Sequence, residues 1–309
     1  MMRFIPALVG AALLAGCALL SDPAAPEHPA RQPAYVAGTS YFGRNGYVEY
    51  IAGNSPVIIT APHGGELAPA EIPDRGCGTT VTDLGTEQLA RAMQYQFHQR
   101  TGRYPHVVIN RLRRAKMDAN RDLAEAGCGN ARADSAWHEY HRFVDAARAA
   151  VLASEGKGFY LDLHGHGHPL QRLELGYLVP GSALDRADPA LEADAALRDS
   201  SSIGTMARRS GFAALLRGPA SLGTLYAAEG YPAVPSSTDP SPRGEAYFSG
   251  GYSTERHGCA RGGMICGVQI EANQRSVRDS EASRLRFADT TVRVLESYLA
   301  THLAIDLTP

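Results

Sequence analysis

The sequence predicts an α/β protein in which helices cover both faces of a mixed, mostly parallel sheet. Short apolar runs alternate along the chain with longer amphipathic stretches, which is typical of this three-layer α/β/α arrangement. The composition allows a sizeable core, since 44% of the 309 residues are hydrophobic and 20% are charged. A formal net charge of −2 provides no basic field for nucleic acid, so we expect no such partner.

Five apolar runs predict strands, and three amphipathic stretches predict helices. The predicted strands cover residues 56–62, 106–110, 158–164, 175–180 and 264–272. The predicted helices cover residues 83–100, 134–156 and 279–303. The first helix begins with Asp83 as a capping residue, and the second ends at a glycine. Because ligands gather at the carboxyl ends of parallel strands, we expect the functional site at that edge.

The N-terminus indicates export. Arg3 precedes an apolar stretch, residues 4–16, that is too short for a permanent membrane span, and Leu14 to Cys17 ("LAGC") resemble the lipobox of bacterial lipoproteins. We predict a signal peptide at 1–16, an acylated Cys17, an Ala/Pro-rich tether over 17–40 and a single domain over 41–309. Ala18 favours passage to the outer membrane, where the lipid would anchor the protein. The alternative is a plain secretory signal with an incidental cysteine.

The other four cysteines form an even set, as expected for disulfides in an oxidising compartment. They are Cys77, Cys128, Cys259 and Cys266. The sequence alone does not fix the pairing. We favour Cys259 with Cys266 as a local link and Cys77 with Cys128.

Candidate metal ligands follow two of the predicted strands. His63 and Glu66 ("HGGE") come after the strand 56–62, and His164 ends the strand 158–164. Zinc accepts imidazole nitrogen and carboxylate oxygen, and a catalytic zinc site uses three protein ligands plus water. We therefore predict one zinc ion per chain on His63, Glu66 and His164, with Asp162 orienting His164. A rival set replaces Glu66 with His166.

Three further histidines are assigned outside the favoured ligand set. His166 is interpreted as a pocket residue that contacts substrate or water, and His168 as a loop residue. His257 lies in a glycine-rich loop before the last strand and is expected to edge the pocket.

Glu271 is the candidate general base. It ends a strand that is apolar on both sides of it. Burying an unpaired carboxylate there costs several kcal/mol of folding free energy. A metal hydrolase needs a proton acceptor beside its attacking water. The alternative is a glutamate that is merely exposed as the strand ends.

The stretch 110–122 is dense in arginine and also carries amide and carboxylate side chains. Arginine binds carboxylates with two parallel hydrogen bonds. We assign Arg121, with Asn120 beside it, to a substrate carboxylate. Arg111, Arg113 and Arg114 are unranked candidates for polarising a scissile carbonyl, and a purely structural arginine network is the alternative.

Five motifs, in this order, resemble those of the N-formylglutamate amidohydrolase family. They are "APHGGE", "DANRD", "LDLHGH", "FSGGYSTERHG" and "VQIEAN", and the resemblance spans roughly residues 50–300. The family is similar in turn to zinc carboxypeptidases and to the succinylglutamate desuccinylase group. The resemblance implies a phosphorylase/hydrolase-like fold of the zinc carboxypeptidase type with one zinc. It also implies that His63, Glu66 and His164 are ligands, that Asn120 and Arg121 hold a carboxylate, and that Glu271 is the base.

Taken together, these features predict a zinc-dependent hydrolase of an amide bond near a free carboxylate, with a small N-acyl or N-formyl amino acid as substrate. One alternative is a metallocarboxypeptidase that acts on exported or cell-wall peptides. A second is a lipid-anchored protein that binds zinc or a ligand without turnover. The sequence has no G-x-S-x-G, G-x-G-x-x-G or P-loop motif, which disfavours serine hydrolases and nucleotide-dependent enzymes.

Overall fold

One mixed sheet of eight strands organises the computed structural model, which describes residue 1 and residues 35–308. The strands are β1 (Ser40–Phe42), β2 (Val48–Ile51), β3 (Val57–Ala61), β4 (His106–Asn110), β5 (Gly158–Gly165), β6 (Leu173–Gly176), β7 (Ala233–Val234) and β8 (Ile265–Ala272). Their spatial order is β1-β2-β4-β3-β5-β8-β6-β7. The central strands β4, β3, β5 and β8 are mutually parallel, so their carboxyl ends meet at one edge.

Eleven helices lie among the described residues. They are α1 (Thr86–Thr101), α2 (Leu123–Ala126), α3 (Ala131–Glu155), α4 (Gly181–Leu184), α5 (Asp188–Glu192), α6 (Ala195–Ser200), α7 (Gly204–Ser210), α8 (Phe212–Arg217), α9 (Leu222–Ala228), α10 (Tyr252–His257) and α11 (Glu281–Leu303). No described helix combines the length and the apolar character needed to cross a membrane.

Alternation along the strands builds two apolar cores, one on each face of the sheet. Ile59 of β3 belongs to the core shared with α1 and α11, whereas its neighbour Ile58 belongs to the core under α3. Side chains of adjacent strand residues point to opposite faces, so each central strand is apolar throughout. The expected three-layer α/β/α architecture with a mostly parallel mixed sheet is confirmed.

The elements with long apolar or amphipathic patterns lie where the sequence predicts them, with shifted ends. The last predicted helix begins two residues later, at Glu281, with Ser280 as its cap. The first begins at Thr86 rather than at Asp83, because Gly85 is its cap and Asp83 caps nothing with its side chain. The strand expected over 175–180 is instead β6, Leu173–Gly176.

The four cysteines pair as favoured from the sequence. Cys77 is bonded to Cys128 across 51 residues of chain, and Cys259 to Cys266 across seven. The signal peptide, Cys17 and the tether up to residue 34 lie outside the described residues. Tyr35, within the predicted tether, packs edge-to-face against Tyr41 and Tyr50.

Candidate metal centre and active site

A cavity of about 150 Å³ opens where the carboxyl ends of β3, β5 and β8 meet. This is the edge at which a parallel sheet collects its ligands. Its lining residues are His63, Asp83, Arg114, Asn120, Arg121, His164, Gly165, Phe248, Gly250, Gly251, Gln269 and Glu271. Most of these side chains are polar or charged, so the cavity suits a polar ligand rather than apolar packing.

Two histidines and an aspartate converge in this cavity as a candidate metal centre. The Nδ1 atoms of His63 and His164 lie 3.4 and 3.3 Å from the same Oδ2 atom of Asp83. All three side chains are buried, and their ligand atoms lie within 4.8 Å of one another. His63 Nδ1 has no hydrogen-bond partner, which is costly for a buried nitrogen unless a cation satisfies it.

Carboxylates behind the two imidazoles fix which nitrogen faces the cavity. His63 Nε2 lies 2.6 Å from Asp118 Oδ1, and His164 Nε2 lies 3.2 Å from Asp162 Oδ2. Each Nε2 therefore carries the hydrogen, which leaves the lone pair on each Nδ1 directed towards Asp83. Carboxylate–histidine pairs of this kind orient the ligands of protein-bound metals. Three electron-rich atoms then face one point, where a cation could be held.

The electrostatics of this centre favour positive charge. Burial alone would lower the pKa of His164, but the charges and hydrogen bonds of Asp162 and Asp83 raise it well above its ordinary value. Burial would likewise raise the pKa of Asp83, yet positive charge on the neighbouring His63 and His164 holds it below its ordinary value. A divalent cation would take the place of the protons against the same carboxylates.

Glu66 is the predicted ligand that the structure does not bring to the centre. Its side chain is exposed, because Leu67 pairs with Leu112 and carries the chain away from the cavity. Gly65 permits this path: a Cβ there would lie 2.2 Å from the backbone of Arg111. Close backbone approach is thus the role of this glycine, and it serves packing rather than ligation by Glu66.

Asp83 stands beside His63 and His164 in the place expected for Glu66, although the sequence predicts it as a helix cap. An aspartate before an amphipathic stretch predicts a helix cap. In the structure the Asp83 side chain instead turns to the centre, where its Oδ2 accepts the Gly165 N–H at 3.1 Å. The signal that could have revealed it is a carboxylate placed three residues before a helix that packs beside β3 and β5.

Glu271 lies at the cavity next to the centre, in the position expected of a base. It is the register partner of His164 across β5 and β8, and its Oε1 lies 4.0 Å from His164 Nδ1. Burial raises the pKa of Glu271 to about 7, opposed by the charge of His164 and assisted by that of Asp83. The alternative of a glutamate exposed at the strand end does not hold, because only 5% of Glu271 is exposed.

Of the four candidate arginines, two reach the cavity. Arg121 lines it with about a third of its side chain exposed, and its Nε lies 3.2 Å from Glu125 Oε1. Arg114 lines it too, and its Nε donates to Asp118 at 2.8 Å. Arg111 instead donates to Gly46 O at 2.9 Å under Phe42, and Arg113 is exposed outside the cavity. Arg111 is therefore placed for a structural contact and not for catalysis.

The other predicted pocket residues divide in the same way. Asn120 lines the cavity, but its Oδ1 accepts the Ser253 N–H at 2.7 Å, which anchors the start of α10. His166 and His257 do not line it. His166 is turned to Arg172 O, 2.8 Å away, and His257 is buried against His141 at 2.9 Å. The sequence predicts these two histidines at the cavity, and the structure places them elsewhere.

Comparisons with known proteins give similarity to solved structures only. No family model matches the chain, and no curated protein matches it. A gene product of Agrobacterium tumefaciens, Atu2144, is 15% identical with a TM-score of 0.48, covering 82% of this chain and 95% of its own. An N-formylglutamate amidohydrolase from Ralstonia eutropha JMP134 is 15% identical with a TM-score of 0.45, covering 82% and 98%. Because both TM-scores lie below 0.5, the functional assignment rests on the site itself.

Proposed function

We propose that the protein is a metal-dependent hydrolase of an amide bond near a free carboxylate, of the kind found in N-formyl and other N-acyl amino acids. The observation that carries the proposal is the convergence of His63, Asp83 and His164 beside a buried Glu271 in one cavity. The small cavity volume favours an amino-acid derivative over a long peptide segment.

The residues of the centre fit zinc. Two imidazole nitrogens and one carboxylate oxygen are the donor set of many catalytic zinc sites, and the orphaned Nδ1 of His63 is the atom that such an ion would satisfy. When bound, zinc would supply a Lewis acid and activate a water molecule for attack on the amide carbonyl. We propose one ion at this centre, held by His63, Asp83 and His164.

The protein's own groups then have distinct tasks. Glu271, adjoining His164, accepts a proton from the attacking water and delivers it to the departing amine nitrogen. Arg114 lies by the ligand Asp83 and by Asp118, and it is suited to stabilise negative charge that develops on the carbonyl oxygen. Arg121, farther out and partly exposed, binds the free carboxylate of the substrate.

The test is substitution of Glu271 by Gln, with Glu66→Gln as the matched control. Glu271→Gln should keep its zinc content, measured by elemental analysis, while kcat on N-acyl amino acids falls at least about 100-fold. Glu66→Gln should behave as the wild type, because Glu66 is exposed away from the cavity. Unchanged turnover in Glu271→Gln would refute its role as base.

A substrate panel separates the remaining alternatives. N-formyl and N-acetyl amino acids are compared with short peptides that have a free C-terminus. Preference for peptides would indicate the carboxypeptidase alternative. No turnover of any member by zinc-loaded protein would leave a binding protein on a hydrolase-like fold.

We also propose that the protein is exported and held at the outer membrane by lipid on Cys17. Support comes from the lipobox-like "LAGC" and from two disulfides, which persist in oxidising compartments. Radiolabelled palmitate should be incorporated into the wild type and not into Cys17→Ser. Equal labelling of the two proteins, or labelling of neither, would refute lipidation at this cysteine.

A further inference from the structure

A second group of candidate metal ligands lies outside the described cavity. It consists of His166 and His168, which follow β5, and Glu174 of β6. We propose that this group binds a second divalent metal ion of the zinc class, and that this ion fixes one wall of the active-site cavity. The inference is independent of the hydrolase reaction, because it concerns a separate set of ligands.

The three ligand atoms are arranged around one oxygen. His168 Nδ1 lies 2.7 Å and His166 Nδ1 3.9 Å from Glu174 Oε1, and all three atoms fall within 4.8 Å of one another. Two imidazole nitrogens and one carboxylate oxygen form a donor set that suits zinc. Small rotations of these three side chains would bring all three ligand atoms to a single ion.

Neighbouring groups orient these ligands. His166 Nε2 donates to Arg172 O at 2.8 Å, so its Nδ1 carries the lone pair and lies 3.9 Å from Glu174 Oε1. The Phe248 N–H donates to Glu174 Oε2 at 2.8 Å, which leaves Oε1 for the histidines. The backbone N–H of His168 points to His166 Nδ1 at 3.1 Å, and a bound ion would replace that contact.

The group combines burial with access. Glu174 is 1% exposed and its ion-pair partners among the described residues are the two histidines, so a cation beside it would be stabilising, whereas 23% of the His168 side chain is exposed. A cavity of about 330 Å³ adjoins His168 and is lined also by Pro169, Leu170, Glu245 and Ala246. An ion and its remaining water ligand can therefore enter from this side without crossing the first centre.

Phe248 links this second group to the active-site cavity. Its ring stacks on the His168 imidazole with centroids 4.8 Å apart, its N–H donates to Glu174, and the residue lines the first cavity. An ion that fixes His168 and Glu174 would thus fix Phe248 as part of the substrate-binding wall. This second site is structural, whereas the first is catalytic.

Metal stoichiometry tests the proposal with four forms of the tag-free chain. Wild type, His168→Gln, Asp83→Ala and the double variant are equilibrated with buffered free zinc and analysed for zinc per chain. His138→Gln, an exposed histidine on α3, is the matched control. We expect two ions in wild type and control, one in each single variant and none in the double variant.

The outcomes separate the two sites. A wild type with one zinc ion that persists in His168→Gln and disappears in Asp83→Ala would overturn the second site and leave the first intact. One ion lost only in His168→Gln would support the second site and refute the first. Hydrogen exchange over residues 246–251 is a second readout. Zinc should slow this exchange in Asp83→Ala but not in the double variant. Equal exchange in both variants would contradict the proposed role of the ion in fixing the cavity wall at Phe248.

Discussion

His63 and His164 present their Nδ1 atoms to the same oxygen of Asp83, at 3.4 and 3.3 Å. The two imidazole rings cross edge-to-face with centroids 4.7 Å apart, so neither nitrogen blocks the other. Because each Nε2 is engaged by its own carboxylate, the facing nitrogens carry lone pairs. Two imidazole nitrogens that face one carboxylate oxygen form a candidate metal centre, which a polar loop rich in histidine would not form.

The carboxylate behind His63 should tune metal affinity without ligating the ion. Asp118→Asn should weaken zinc binding about 10–100-fold, because it replaces the charged carboxylate that orients and polarises His63 with a neutral amide. Zinc affinity is measured by competition with a chelator in a His168→Gln background, so that only binding at the first centre is measured. Asp74→Asn, an exposed aspartate paired with Lys116, is the control and should bind zinc as before. An affinity unaltered in Asp118→Asn would contradict its assigned role.

Arg121 should affect substrate binding more than the chemical step. Arg121→Ala should raise KM about 10–100-fold for substrates with a free carboxylate, with a smaller change in kcat, since the charge-assisted contact is present in ground and transition states alike. Steady-state kinetics on an N-acyl amino acid and on its amide separate the effect. Arg113→Ala, exposed outside the cavity, should change neither constant. A fall in kcat alone would assign Arg121 to the reaction instead.

A buried histidine away from the site should make folding stability depend on pH. His106 Nδ1 faces the Tyr50 hydroxyl at 2.8 Å and the Gly53 N–H at 3.1 Å, and burial lowers the pKa of His106 to about 4. Since the unfolded value is about 6.5, the unfolded chain binds more protons in this window. The contribution is complete above about pH 6.5 and is lost as pH falls towards 4, amounting to about 2 kcal/mol by pH 5.

Urea unfolding of metal-stripped protein at pH 7 and pH 5 measures this dependence. The free energy of unfolding should fall less between these pH values in His106→Gln than in wild type, because the variant lacks the titrating group. The exposed His138→Gln is the control and should keep the wild-type dependence. The same pH dependence in His106→Gln would remove His106 as its source.

The sequence predicts the central sheet because its strands are apolar on both faces. β3, β4 and β8 lie within predicted runs and β5 extends one residue beyond its run, whereas α3 begins three residues earlier and α11 two residues later than predicted. The outer strands β1, β2 and β7 are short and carry no long apolar run, so their pairing depends on contacts with the rest of the sheet. Local periodicity cannot supply such contacts.

The candidate site was predictable where a residue directly follows a strand, and not elsewhere. His63, His164 and Glu271 follow or end buried strands, which places them at the cavity edge. Asp83 stands 20 residues after His63, in a pattern that indicates a helix cap, and only the packing of the loop before α1 brings it in. Glu66 is favoured by its spacing from His63 and by the family resemblance, and neither determines the direction of the chain after Gly65.

The most direct test is the zinc content of Asp83→Ala and Glu66→Ala, measured by elemental analysis in the His168→Gln background and at the same buffered free zinc concentration. The structure predicts that Asp83→Ala loses one ion per chain and that Glu66→Ala loses none, with His164→Ala matching Asp83→Ala. Folding of each variant is verified by its circular dichroism spectrum. Zinc retained in folded Asp83→Ala and lost in Glu66→Ala would contradict the centre described by His63, Asp83 and His164.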